Sequence, residues 1–590
     1  MLKSSVFLSI VAVAVGSLMT PAMAEVRLPA IFGSHMVLQQ QIKIPVWGWA
    51  DAGEAVTVTL GDHTAKTTAD ANGKWRVDLD PLPAGTAPLS LTVTGKNSLV
   101  LDDVLVGDVW LCSGQSNMEF NLTRGDHGPA DDLQANDPQI RLFVVDKEVE
   151  LEPKDDTKGK WELCTPTSAA WFSSIGYYFA RSVRQKYNRP VGMIASYWGG
   201  TPAQAWTSLS ALQKDPPFTN YVDAYQKLVA DFPAANAKYP QLQAEYLEQA
   251  KQYQNNLPAS YTDAMKAWNA AAKQAAASGQ PAPPRPPAPP GSPKAPQPPQ
   301  GGSGGPTVLF NTMISPIIPY AIKGVLWYQG EANTGNGIEY RTLFPRLIND
   351  WRERWGEGNF PFLYVQLANL GPAQKNPSEG GWALLREAQL MTLSLPNTAM
   401  AVAVDIGNPL DIHPKDKVDV AQRLFLTAQH VAYGENLVYS GPIYDSMKIE
   451  GNRIRLSFKN VGGGLQMSLP PWSPTGVMPP APTELTGFAI AGADKNWVWA
   501  KAAIDGNDIL VSSDQVSEPV AVRYGWSSNP PCNLYNKEGL PASPFRTDDW
   551  PEAQPPPHPA PAPAPAAAPT NAPPAAPTNA PAAAPATPPN

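Results

Sequence analysis

The chain has 590 residues, which is too long for a single hydrophobic core, so we expect about three domains. Its formal net charge of −8 at pH 7 argues against a nucleic-acid partner, which requires a basic face, and gives no long-range attraction for an anionic substrate. The three cysteines, Cys112, Cys164 and Cys532, lack the spacing of metal ligands, so no metal is expected. In an exported protein a Cys112–Cys164 disulfide is one alternative and free thiols are the other.

The first 24 residues have the pattern of a secretory signal peptide. Lys3 gives a short positive start, an uncharged apolar run covers residues 6–18, and small residues at 22–24 precede a cleavage site before Glu25. The run is short for a membrane span, and no basic stop-transfer cluster follows it. We therefore expect export to the periplasm or the outside, with no membrane-spanning segment in the mature protein.

Two different sequence patterns follow the predicted signal peptide. Residues 25–105 consist of short alternating or β-branched segments such as EAVTVTL and PLSLTVTG, separated by turn residues, and predict a small β-sandwich-like domain. From 106 to 435, apolar strands alternate with helical segments, and each strand runs into a polar loop. This alternation predicts an α/β domain with a mainly parallel sheet, in which ligands bind beyond the carboxyl ends of the strands.

An insertion and two further regions complete the organisation. Residues 212–306 interrupt the α/β domain with two predicted helices, which end near residue 277, and a proline-rich stretch of polyproline character. Strand-like segments return over 436–552 and predict a second β-rich domain. The tail, 553–590, is built of Pro, Ala, Thr and Asn and is predicted to be disordered.

Ser116 stands in the segment GQSNM, directly after a predicted strand. A serine at such a turn can expose its hydroxyl while neighbouring backbone N–H groups face outward as oxyanion donors. The second glycine of the Gly-x-Ser-x-Gly elbow is missing, which disfavours the common α/β-hydrolase fold. Taken alone, a serine in a turn is more often structural than catalytic.

His413 is the best candidate for the base that a serine nucleophile needs. It follows the predicted strand TAMAVAVDIG, in a loop where Pro414 restrains it and Asp411 accompanies it. The other histidines fall in the first β domain (His35, His63), a polar loop (His127), a helix (His430) and the tail (His558). Two further loops offer polar groups beyond strand ends: YWGGTPAQAW with Gly199 and Gly200, and WYQGEAN with Gln329, Glu331 and Asn333.

The segments LCSGQSNMEF, SYWGGTPAQAW, GVLWYQGEAN and DIHPKDK, in this order, closely resemble the sialate O-acetylesterase family, a branch of the SGNH-type hydrolases. LPAIFGSHMVLQ near the start and NLYNKEGLPASPFRTDDW near the end match as well. The resemblance covers most of residues 25–550, without the insertion. It implies a flavodoxin-like SGNH hydrolase core with a parallel sheet, flanked by N-terminal and C-terminal β-rich, sandwich-like domains.

The resemblance also implies the site. Ser116 would be the nucleophile and His413 the base. The N–H groups of Ser116 and Gly200 would form an oxyanion hole with the side chain of Gln329 or, alternatively, Asn333. Glu331 in the same loop is a further candidate for substrate binding.

One position departs from the wider SGNH pattern. There the triad aspartate stands three residues before the histidine, where this chain has Leu410, whereas Asp411 stands two before. Asp411 either orients the imidazole of His413 or leaves Ser116 and His413 as a dyad.

The expected activity is hydrolysis of O-acetyl esters on carbohydrates by acyl transfer, without metal or organic cofactor. The family name favours acetylated sialic acid, whose carboxylate Arg124 or Arg386 could meet. Acetyl xylan or another plant glycan is the alternative. A glycoside hydrolase using Glu331 and Asp405 as its carboxylate pair would leave the serine and histidine motifs unexplained. A non-catalytic carbohydrate-binding protein is the remaining alternative.

Overall fold

The computed structural model describes residues 25–277 and 283–551. The predicted signal peptide and the predicted disordered tail lie outside the described residues, as does a short part of the proline-rich stretch. Among the helices that are described, none has the length and apolar character needed to cross a membrane.

The N-terminal unit is built of β-strands, as predicted. Its strands are β1 (Val37–Gln39), β2 (Ile44–Trp49), β3 (Ala55–Leu60), β4 (His63–Thr68), β5 (Lys74–Leu79), β6 (Gly85–Thr94) and β7 (Ser98–Gly114). Strands β2 and β5 pair with each other, whereas β1, β3, β4 and β6 form a sheet with β7. Alternation explains the packing: along β5, Trp75, Val77 and Leu79 are buried and their neighbours are exposed.

Strand β7 joins this unit to the α/β domain. Its first part pairs with β6 up to Val106, and its second part, from Asp108, pairs with β10. The predicted boundary between residues 105 and 106 falls inside this strand. The two units therefore share a strand and a continuous hydrophobic core instead of being separated by a linker.

The α/β domain has a mainly parallel sheet, which confirms the predicted class. Its further strands are β8 (Asp137–Val144), β9 (Trp161–Cys164), β10 (Val191–Tyr197), β11 (Gly324–Tyr328), β12 (Phe362–Gln366) and β13 (Thr398–Val402). The spatial order is β13-β12-β11-β7-β10-β8-β9, in which only the edge pair β8–β9 is antiparallel. Strand β7, the first of this domain, lies between the later strands β11 and β10, and ligands of such sheets bind where the strand order reverses.

Helices cover this sheet, so its central strands are buried along their whole length. The helices are α1 (Ser116–Glu119), α2 (Gly128–Gln134), α3 (Pro166–Ala169), α4 (Ser174–Tyr187), α5 (Leu209–Leu212), α6 (Thr219–Asn255), α7 (Ala259–Ala277), α8 (Gly337–Trp355), α9 (Gly381–Met391) and α10 (Val418–Val431). Short 3₁₀ segments cover Leu122–Arg124, Ala203–Trp206, Pro216–Phe218, Ser315–Ile317, Glu331–Asn336 and Thr392–Ser394, and Phe310–Ile314 is a π-helical turn. Helix α4 begins at Ser174, because the Ser173 hydroxyl caps it by accepting a hydrogen bond from Gly176 N at 3.1 Å.

The insertion contains the two predicted helices, α6 and α7. Of the 37 residues of α6, all described, Tyr225 alone is buried. The proline-rich segment returns along these helices: Trp268 Nε1 donates to Pro283 O at 2.7 Å and Tyr253 OH donates to Pro289 O at 2.6 Å.

The C-terminal unit is β-rich, as predicted. Its strands are β14 (Ile443–Glu450), β15 (Arg453–Lys459), β16 (Leu465–Met467), β17 (Phe488–Ala491), β18 (Val498–Trp499), β19 (Lys501–Asp505), β20 (Asp508–Ser512), β21 (Ala521–Tyr524), β22 (Leu534–Asn536) and β23 (Phe545–Arg546). Two four-stranded antiparallel sheets, β14-β15-β20-β19 and β18-β17-β21-β23, enclose a second hydrophobic cluster. The three cysteines are free, so the Cys112–Cys164 disulfide is not formed.

Candidate active site

Ser116 begins helix α1 at the carboxyl end of β7. Gly114 makes the preceding turn with a φ of +131°, and a Cβ at this position would lie 2.2 Å from Tyr328 O on the neighbouring strand. Only glycine fits so close an approach of two backbones. The turn places Ser116 at the first position of α1, directly beyond the carboxyl end of β7.

The Ser116 hydroxyl meets His413 directly. His413 Nε2 lies 2.8 Å from Ser116 Oγ, although the two residues are 297 positions apart in the chain. The imidazole stacks on Phe120, with ring centroids 6.4 Å apart. Burial lowers the pKa of His413, so the neutral ring that can accept the serine proton is favoured at neutral pH.

Asp411 lies beside His413 but contacts mainly its backbone. Asp411 Oδ1 accepts a hydrogen bond from His413 N at 2.9 Å, and the same oxygen is 3.4 Å from Nδ1 of the ring. The second distance exceeds that of an aligned hydrogen bond, and the aspartate side chain is 49% exposed. This contact is looser than the one that His413 makes on its other side with Ser116.

The loop after β10 packs against the nucleophile. Gly199 N donates to Glu119 Oε2 at 2.7 Å, and a Cβ on Gly199 would lie 3.2 Å from Ser116 Cβ. Gly200 follows with a φ of +76°, which favours glycine. Its N–H donates no hydrogen bond within residues 25–277 and 283–551, so it remains available at the site.

Gln329 and Asn333 connect the loops behind the site. Gln329 is fully buried, and its Nε2 donates to Asn333 Oδ1 at 2.7 Å and to Thr201 O at 3.3 Å. Both N–H groups of the Gln329 amide are therefore committed. Asn333 Nδ2 donates to Gln204 Oε1 at 3.0 Å, which engages one of its two N–H groups.

Glu331 belongs to a buried cluster of polar side chains whose other members, Asn117 and Lys417, were not predicted from the sequence. Its Oε1 accepts a hydrogen bond from Asn117 Nδ2 at 2.6 Å, and Asn117 Oδ1 accepts one from Lys417 Nζ at 2.7 Å. Burial raises the pKa of Glu331 and lowers the pKa of Lys417 to about 7. Asn117 and Lys417 stand inside the segments GQSNM and DIHPKDK, so their position near Ser116 and His413 is the sequence feature that could have identified them.

Two residues considered from the sequence have structural roles instead. Arg386 is fully buried and donates to the backbone carbonyls of residues 367, 368, 527 and 528, so it cannot meet a substrate carboxylate. Asp405 pairs with Arg423 through both carboxylate oxygens, at 2.6 and 2.7 Å, and accepts a hydrogen bond from Tyr535 OH. A carboxylate held in this way is unsuited to be half of a glycosidase pair.

Arg124, by contrast, is exposed beside the site. Its guanidinium carbon lies 4.5 Å from the centroid of the Phe120 ring, the ring on which His413 stacks. It is near enough to the imidazole for its charge to lower the pKa of His413. The remaining described histidines stand elsewhere; His127, for example, is exposed at the start of α2.

The chain is similar to known carbohydrate esterases. The family described as "Carbohydrate esterase, sialic acid-specific acetylesterase" matches residues 106–277 and 306–426, on either side of the proline-rich segment. A sialate O-acetylesterase of Rattus norvegicus is 31% identical over 462 residues, which are 71% of this chain and 76% of that relative. The chain belongs to this family. As a member of the sialic acid-specific acetylesterase family, it is a carboxylic ester hydrolase of the carbohydrate esterase type.

Other relatives extend the similarity to both β-rich units. The sialate O-acetylesterase of Mus musculus is 28% identical over 574 residues, covering 88% of this chain and 94% of its own length. The crystal structure of a carbohydrate acetylesterase from Xanthomonas citri is 36% identical, covers 89% of this chain and 100% of its own, and superposes with a TM-score of 0.69.

Proposed function

We propose that the protein is an exported SGNH-type serine esterase that removes O-acetyl groups from carbohydrates, sialic acid foremost, through Ser116 and His413. The observation that carries this proposal is the 2.8 Å contact between Ser116 Oγ and His413 Nε2 at the carboxyl edge of the parallel sheet. Ligands of such sheets bind at this edge. The export part of the proposal is supported by the signal-peptide pattern of the first 24 residues alone.

The chemistry is a two-step acyl transfer. His413 takes the proton of Ser116 while Oγ attacks the acetyl carbonyl, and the resulting imidazolium gives that proton to the sugar oxygen as its bond to the acetyl carbon breaks, so that the sugar leaves with a free hydroxyl. An acetyl-serine remains. Water then attacks this ester with His413 again as base, which releases acetate and restores the serine hydroxyl. No residue other than the serine carries the acetyl group between the steps.

The oxyanion hole is the second part of the mechanism. In this proposal the backbone N–H groups of Ser116 and Gly200, which donate no hydrogen bond within the described residues, bind the developing oxyanion, and Asn333 supplies the side-chain donor because its amide keeps an uncommitted N–H there. Gln329 holds Asn333 in position through the hydrogen bond to its Oδ1. A single oxyanion donor is typically worth about 3 kcal/mol of transition-state stabilisation.

Arg124 supports sialic acid as the substrate. This exposed guanidinium beside His413 forms no ion pair with a carboxylate of the described chain, so it can meet the carboxylate that distinguishes sialic acid from neutral sugars. Acetyl xylan has no carboxylate on its acetylated residues and gains nothing from this contact.

The test measures acetate release by the full mature chain from O-acetylated sialic acid and from acetylated xylan. Ser116→Ala is expected to abolish release from both substrates. Arg124→Met is expected to raise KM for the sialate about tenfold or more and to leave KM for xylan unchanged, because only the sialate carries a charge for the guanidinium. Lys415→Met, an exposed lysine of the His413 loop, controls for the loss of one positive charge. Activity that persists in Ser116→Ala would refute the mechanism, and wild-type activity on xylan alone would refute the sialate assignment.

A further inference from the structure

Asn117 connects the three loops that form the catalytic edge. It follows the nucleophile directly and is almost completely buried. Its Nδ2 donates to Ile412 O at 3.0 Å, the carbonyl that immediately precedes His413, and to Glu331 Oε1 at 2.6 Å. One side chain thus ties the serine turn to the histidine loop and to the loop after β11.

Lys417 binds the other end of the Asn117 amide, its oxygen. It is fully buried, and its ammonium donates to Asn117 Oδ1 at 2.7 Å. The ammonium lies 4.7 Å from the Phe120 ring centroid and 5.5 Å from that of Tyr328. Phe120 is also the ring on which His413 stacks, so the cation and the imidazole share one aromatic neighbour.

The two buried charges are linked in an unusual way. Lys417 and Glu331 each bond to Asn117, and the amide stands between them in place of a direct ion pair. Glu331 Oε2 is buried and accepts no hydrogen bond from the described part of the chain. Burying an ammonium and a carboxylate costs free energy that a direct, well-satisfied pair would offset better. The arrangement therefore points to a role other than stability.

We propose that Lys417, Asn117 and Glu331 form a positioning network that holds His413 against Ser116 and sets the charge around the imidazole. This inference rests on the proposed serine–histidine mechanism. None of the three residues touches the reacting atoms: Asn117 acts through the Ile412 carbonyl, and Lys417 acts through Asn117 and through its field.

The charged groups around His413 make the effect measurable. Asp411 raises the pKa of His413, whereas the cations of Lys417 and Arg124 lower it, in addition to the lowering by burial. Lys417 itself faces Glu331, Asp416 and Asp411, which raise its pKa, and Arg124, which lowers it. Removing the Lys417 cation takes repulsion away from the imidazolium, so the pKa of His413 rises.

The test compares Lys417→Met with Lys415→Met in the full chain, with an aryl acetate as probe. Methionine matches the lysine stem but lacks the ammonium, and Lys415 carries the same charge two residues earlier on the surface. We expect Lys417→Met to lower kcat about tenfold to a hundredfold with KM little changed, because the catalytic pair loses its alignment. The acid limb of kcat/KM should move upward by about half a pH unit. Lys415→Met should leave both quantities at the wild-type value.

Glu331→Gln covers the case that Lys417→Met does not fold. Glutamine keeps an oxygen for the Asn117 hydrogen bond and removes the charge that favours protonated Lys417, so the lysine cation is lost at lower pH. The acid limb of kcat/KM should again move to higher pH, but by less than in Lys417→Met. An unmoved limb in the folded variants, or an equal shift in Lys415→Met, would overturn the positioning network. Full activity in Ser116→Ala would instead overturn the proposed mechanism, so the two failures are distinguishable.

Discussion

The catalytic edge and the helical insertion belong to the same α/β domain, yet they are held in opposite ways. At the edge, hydrogen bonds connect residues far apart in sequence: Asn117 and Lys417 are separated by 300 positions, and Asn117 and Glu331 by 214. In the insertion, Tyr253 and Pro289 are 36 positions apart, and Trp268 and Pro283 only 15. The edge therefore depends on the whole fold, whereas the insertion depends mainly on itself.

The largest effect is expected from His413→Ala. Without the base, Ser116 keeps its proton, and kcat should fall about 10⁴-fold or more, as for loss of a member of a serine hydrolase site. Acetate release over time measures the effect, and thermal unfolding should show an unchanged Tm because the histidine is only half-buried. The exposed His127→Ala serves as control and should stay within twofold of wild type. A His413→Ala variant that keeps a tenth of the activity would contradict the assignment.

Arg386→Met tests how much the hydrogen bonds between distant parts of the chain contribute to the free energy of unfolding. The variant removes the four hydrogen bonds that the buried guanidinium donates to backbone carbonyls, of which those of Ala368 and Ser528 keep a second donor, and it should lower the free energy of unfolding by about 3–5 kcal/mol. Arg285→Met is the matched change in the insertion, where the exposed guanidinium lies over the Trp268 ring at 5.9 Å. Its expected effect is within about 0.5 kcal/mol. Denaturant unfolding of both variants measures the difference, and equal losses would break the contrast between the two regions.

Asp411→Asn should have a smaller effect, on activity and pH dependence. The aspartate is half-exposed and 3.4 Å from Nδ1, so its removal should lower kcat by less than about tenfold. In the wild type, burial holds the pKa of His413 below its usual 6.5, so kcat/KM should fall only as the pH drops below that value and the base becomes protonated. Asp411 opposes this lowering, so its loss should move the acid limb to still lower pH. A drop of a thousandfold would instead identify a full triad.

The sequence was sufficient to identify the site residues that stand in recognisable segments directly after apolar strands. Ser116 and His413 could be placed because each follows an apolar strand, and the carboxyl ends of parallel strands meet at one edge. The hydrogen bonds of Asn117 could not be found, since they join loops whose contact exists only in the folded sheet. Arg386 was misjudged because an arginine that serves buried carbonyls looks the same in sequence as one that awaits a ligand.

Excision of the distal insertion is expected to have the smallest effect. Tyr253 meets Pro289, and a Cβ at Gly301 would lie 3.1 Å from Leu228, so the proline-rich segment runs antiparallel to α6. Between these contacts the helix advances 25 residues and the extended segment 12, and both distances come to about 37 Å.

From these two contacts we expect Ala235 to lie close to Pro298, so that residues 236–297 can be replaced by about four glycine or serine residues. The retained part keeps Tyr225, Leu228 and Phe232, which pack on the core. We expect Tm to stay within about 2 °C and kcat/KM on the acetylated sialate within twofold, because few contacts to the edge are removed. Unchanged Tm with a large rise in KM would show that the insertion takes part in substrate binding and that the two regions are not independent.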